Sequence, residues 1–181
     1  MLAAEPNASP KDAESLKKKI AAITELGTRP AAQPRRTTVT ENEVNAYLAF
    51  ESRDQLPSGI VEPSIGILGT GRVTGRAVVD LDALRRERKA TGPFDPASYL
   101  TGRLPLSVTG VLKTSEGMGQ FEVESATVAG VPVPKRTLQE IVSYYSRTPD
   151  SPDGISLDAP FSLPARIREI QLELGQAIVV Q

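Results

Sequence analysis

The sequence predicts an α+β fold: a strongly curved antiparallel sheet packed around a helix, with an N-terminal helical appendage. Three observations predict it. Apolar and polar residues alternate through 103–113 and again over 120–124, an amphipathic helical stripe runs through "PKRTLQEIVSYYSR", and a first helical segment is set apart by a run rich in proline and charge. The chain, 181 residues long, can bury one sizeable core. The expected division is therefore an N-terminal helix and Pro-rich linker over 1–36 and a single α+β domain over 37–181.

In chain order, Ser9 and Pro10 start a helix that runs to about 25, with Leu16, Ile20 and Ile23 on one face and Gly27 as its stop. "GTRPAAQPRRT" reads as the linker. Thr40 and Glu43 have the spacing of a capping box, which opens a second helix with a buried stripe of Val44, Tyr47 and Leu48 and an end near Phe50. From about 60 onward the period becomes two. Leu104, Leu106, Val108, Gly110 and Leu112 alternate with Arg103, Ser107, Thr109 and Lys113. Phe121 and Val123 alternate with Gln120, Glu122 and Glu124, and "SEGMG" is the hairpin turn between the two runs.

"LDALRRERKATGPFDPASYL" reads as a charged helical turn followed by a loop, its basic run a solvated face. Alternation returns at Ile155, Leu157, Ala159, Phe161 and Leu163, and once more at Ile170, Leu172 and Leu174, where Gly175 and Gln176 suit a two-residue turn into "AIVVQ". One-sided alternation belongs to antiparallel sheets, because parallel crossover strands are usually apolar on both faces. The apolar face needs a cover. The helix opened by Pro134, with Leu138, Ile141, Val142 and Tyr145 along its stripe, is expected to supply it.

"GILGTGRVTGRAVVDL" tests whether the chain cradles a phosphate, since Gly69, Gly71 and Gly75 follow an apolar run. A dinucleotide loop needs a helix after its glycines. Here the following residues include β-branched Val73, Thr74, Val78 and Val79, and Gly75 inside a helix would cost about 1 kcal/mol relative to alanine. The segment reads as a hairpin, with Gly69 and Gly71 turning the chain and Gly75 helping a strand bend. "VTG" at 73–75 and 108–110 and "VAG" at 128–130 are either a short internal repeat or unrelated strand glycines.

Composition removes much ordinary catalysis. There is no cysteine and no histidine, hence no thiol nucleophile, no thiolate or imidazole metal ligand and no histidine-centred triad. The acidic group "TPDSPDG" lacks the ligand spacing of a calcium loop, and Asp80 and Asp82 sit at a strand end where a capping role is commoner than acid–base work. No catalytic residue, metal site or cofactor is expected. The 21 basic and 22 acidic residues are interspersed, which argues against nucleic acid as a partner. No stretch approaches the roughly 20 apolar residues of a membrane helix, so no transmembrane segment is expected. The opening "MLAAEPNASPKDAE" suits a mature exported protein, periplasmic or extracellular, whose signal peptide is absent from this sequence.

The order "TVTENEVNAYL", glycine-bearing strands, "VAGVPVPKRTLQEIVSYY" and "LPARIREIQLELGQAIVV" resembles bacterial envelope proteins related to the tubular lipid-binding superfamily. The resemblance covers about residues 37–181 and implies a curved sheet around a helix, with lipid or another apolar molecule held between them. It places Leu138, Ile141, Val142 and Tyr145 on the wrapped helix, with Leu106, Val108, Phe121 and Val123 facing them; the same eight side chains could instead simply fill a core. The expected function is non-enzymatic binding of a lipid or apolar ligand. The alternative is a structural or protein-interaction module of the cell envelope, meeting an envelope protein through the N-terminal helix or "AIVVQ" as an edge strand. An enzyme ranks third and would need a pocket in which Asp, Lys and Ser or Tyr groups converge.

Overall fold

A computed structural model describes residues 8–28, 33–52, 56, 59–83, 102–145, 147 and 152–181. The fold is α+β with antiparallel sheets. In chain order the elements that lie wholly within the described residues are α1 (Pro10–Gly27), β1 (Arg36–Thr40), α2 (Glu41–Phe50), β2 (Ile60–Gly69), β3 (Arg72–Asp80), β4 (Arg103–Ser115), β5 (Met118–Val128), β6 (Val131–Pro132), α3 (Lys135–Tyr145), β7 (Phe161–Ser162), β8 (Glu169–Glu173) and β9 (Gln176–Val180). The larger sheet has the order β2-β3-β4-β5-β6, with β7 also paired to β5; the smaller has the order β1-β9-β8.

Ser9 caps α1 by accepting from the Asp12 N–H, and Pro10 occupies the first turn, where its missing N–H costs no helical bond. The helix buries Ala13, Leu16 and Ile23, while Ile20 on the same stripe stays 39% exposed. It packs chiefly on α2. Its last turn comes so close to the 164–168 segment that a Cβ on Gly27 would lie 2.6 Å from Ala165 Cα. Gly27 is thus the helix's final residue and a contact point. Beside it Ile23, Ile167 and Val179 form a core cluster, joined by Leu163, Ala165 and Ile170.

The capping box of α2 is complete: Glu43 N–H donates to Thr40 Oγ1 at 3.2 Å and Thr40 N–H donates to Glu43 Oε2 at 2.9 Å. Its buried residues differ from the expected stripe. Val44, Tyr47 and Leu48 are half-buried, whereas Glu43, Asn45 and Ala46 are buried. The polar pair is buried because each is fully engaged: Glu43 is bonded to α1, and Asn45 clips onto β2 by accepting from Ile65 N–H at 2.7 Å and donating to Ile65 C=O at 2.8 Å. Glu41 adds an acceptor for Ile67 N–H at 2.6 Å. Two α2 side chains therefore occupy the outer edge of β2 where another strand would pair. Thr114 treats the edge of β8 likewise, donating to Ile170 C=O and accepting from Ile170 N–H.

Three hairpin turns share one geometry. Thr70–Gly71, Glu116–Gly117 and Ala129–Gly130 each lie between paired residues and each have positive φ at both positions (49° and 79°, 49° and 82°, 51° and 78°). That is the type I′ pattern, whose twist suits a two-residue hairpin. The glycine cluster is accordingly strand–turn–strand, with Gly69 itself at φ 84° beside a register shift. At Gly75 a Cβ would meet nothing nearer than Ile65 Cδ1 at 3.9 Å, so no close approach requires that glycine.

Three expectations are corrected. The alternation from Ile155 to Leu163 yields only the two-residue β7, because Pro160 has no N–H to offer a ladder and Gln139 of α3 takes the Ile155 carbonyl and the Leu157 N–H. The last hairpin turns on Leu174–Gly175, since Glu173 pairs with Gln176. β9, expected as an exposed edge, is the central strand of the small sheet, bonded to β1 on one side and β8 on the other. Most of "LDALRRERKATGPFDPASYL", residues 84–100, and residues 148–151 of "TPDSPDG" lie outside the described residues.

Candidate ligand-binding surfaces

Register divides the large sheet into two faces. Leu104 lies opposite Val79, Leu106 opposite Ala77 and Val128, Val108 opposite Gly75 and Ala126, and Leu112 opposite Phe121, with Ile65 and Ile67 continuing the set on β2. This is the apolar face. Val73, Ala77, Val79, Leu104, Leu106 and Val108 on it are all half-buried, whereas Ile67 and Ala126 towards its flanks are buried. α3 lies mainly against β5, to one side of that central band.

The eight expected lining residues separate in this frame. Leu106, Val108, Phe121 and Val123 share the apolar face and are half-buried. Phe121 already has an occupant's role: a Cβ on Gly110 would sit 2.6 Å from its Cζ, so the ring fills the space left by the missing side chain. On α3 Leu138 is 3% exposed and Val142 half-buried, whereas Ile141 is 42% exposed. The side chain of Tyr145 lies outside the described residues.

Three carboxylates that could carry chemistry are committed to structure. Asp80 Oδ1 accepts from Ala83 N–H at 2.8 Å and its Oδ2 from Arg103 Nε at 3.3 Å, while Asp82 accepts from Gly102 N–H. Glu43 receives Ser15 Oγ at 2.5 Å and Lys19 Nζ at 2.7 Å; Lys19 also donates to Thr38 C=O. Burial pushes the Glu43 carboxyl up, but the bonds from Lys19, Ser15 and Thr40 together with the Lys19 charge outweigh it and hold the group below its ordinary value. Among the described residues no three Asp or Glu side chains gather as a metal site.

The opposite, wetter face carries a depression of about 200 Å³. Arg76, Val78, Pro105, Ser107 and Thr127 line it together with Glu62 and Gly130, and Ala77 and Leu106, which alternate with them along β3 and β4, also contribute. Arg76 pairs with Ser107 across β3–β4, and Ser107 with Thr127 across β4–β5, so the three stand in one row. Sequence reasoning placed Arg76 and Ser107 only as wet-face residues. Their adjacency depends on register, which local pattern does not encode.

No known protein family and no curated protein matches the chain.

Proposed function

We propose that this chain is a binding module, without catalysis, that holds a lipid or other apolar ligand against the apolar face of its large sheet. One observation carries the reading: six adjoining apolar residues on β3 and β4, from Val73 to Val108, stay half-buried although they sit mid-sheet. A sheet face of that composition gains by losing contact with water, about 25 cal/mol for each Å² covered. The absence of cysteine and histidine fits binding better than turnover. An exported setting belongs to the same proposal.

The test is native mass spectrometry with lipid extraction on protein purified from its own host, alongside Ala77→Phe, which adds bulk at the centre of the band. An apolar molecule that travels with the parent protein and is lost from the variant is the expected result. A parent protein that emerges empty overturns the reading. A second reading, docking of an envelope protein, is favoured by Leu68 and Leu174, which bridge two hairpin ends and remain 47% and 81% exposed.

A further inference from the structure

We propose that the row Arg76–Ser107–Thr127 binds an oxyanion, the carboxylate or phosphate head of an amphipathic molecule whose apolar end rests on Val78 and Pro105. The wet face of β3 and β4 presents four basic side chains. Three are paired: Arg72 with Glu124 at 2.7 Å, Arg103 with Asp80 at 3.3 Å, and Lys113 with Glu122 at 2.7 Å. Arg76, the one that lines the depression, has no carboxylate partner among the described residues.

The hydroxyls repeat this contrast. In the adjacent row Thr109 donates to Thr74 at 3.0 Å, so those two satisfy each other. Ser107 and Thr127 stand directly opposite one another and bond to no side chain among the described residues. Directly opposite residues on one face have Cβ atoms about 5 Å apart, so Ser107 neighbours both Arg76 and Thr127, and the length of the arginine side chain lets its guanidinium share one small anion with the two hydroxyls. The guanidinium fork matches a carboxylate or phosphate in two parallel bonds. The depression is smaller than the roughly 300–1,000 Å³ of a drug-sized pocket, which suits a head group and a few carbons.

Glu62 is the one acid in the lining, and Arg103 lies 4.0 Å from it, which offsets its charge. The row lies on the face opposite the apolar band, and Arg76→Gln leaves every side chain of that band unchanged, so this proposal and the function proposed above are tested separately.

The experiment titrates the full chain with sodium octanoate and with inorganic phosphate while following the Arg76 Nε–H resonance and the heat of binding. Octanoate is expected to bind the parent protein, to lose about tenfold in affinity with Arg76→Gln, to tighten with Glu62→Gln, and to be unaffected by Arg72→Gln. Displacement of octanoate by phosphate supports the same oxyanion chemistry with a free ion as its source, and no displacement supports an amphipathic acid. Equal binding to the parent and Arg76→Gln proteins, or no response to either anion at about 10 mM, overturns the proposal.

Discussion

Replacing Glu43 with glutamine keeps the shape of the side chain that ties α1 to α2 and removes its charge. The carboxylate accepts from Ser15, Lys19 and the Thr40 N–H at 2.5 to 2.9 Å. In the amide an NH2 donor replaces one of the two acceptor oxygens. Ser15 can turn its hydroxyl to accept from it, but the Lys19 bond loses its charged partner. A charge-assisted hydrogen bond contributes about 1.5–3 kcal/mol and a neutral one about 1, so Glu43→Gln should cost about 2 kcal/mol. The sign of the pH dependence follows from the lowered carboxyl pKa. Its stabilisation is fully present above the ordinary value near 4.5 and is lost as pH falls through the folded value. Urea unfolding should therefore show a lower midpoint at unchanged slope for the variant at pH 7, and the gap should close in acid as the parent protein protonates. A difference below about 0.5 kcal/mol at pH 7, or one undiminished at about pH 2, refutes the reasoning.

Thr70 occupies the first position of a type I′ turn at φ 49°, where a β-branched residue is strained. Thr70→Asn should raise stability by about 1 kcal/mol, seen as a higher urea midpoint. Asn45→Ala should cost about 2 kcal/mol, because the Ile65 N–H and C=O both lose their partner, and hydrogen exchange should speed selectively at the Ile65 amide.

Elements governed by local chemistry were legible in the sequence. Ser9 before Pro10, Thr40 with Glu43, and the alternation of 103–113 each specify their own backbone, and α1, α2 and β4 form where these signals stand. The stretch from Ile155 to Leu163 alternates as well as a strand does, yet its backbone is taken up by Gln139, a residue sixteen and eighteen positions away from the groups it binds. Burial of Asn45 was illegible for the same reason. An amide on a helix reveals nothing of the strand it will clip until β2 lies beside it. The row at Arg76 needs two registers at once, and neither can be read from one strand alone.

The side-chain clips on β2 and β8 have a consequence for how molecules of this chain meet one another. A strand at the border of a sheet ordinarily offers its amides to any other chain that comes alongside. Asn45 and Glu41 take the Ile65 and Ile67 positions of that offer on β2, and Thr114 takes the Ile170 position on β8. Two of the borders along which one sheet could continue into the next are thereby taken at these positions by three hydrogen-bonding side chains of the chain itself.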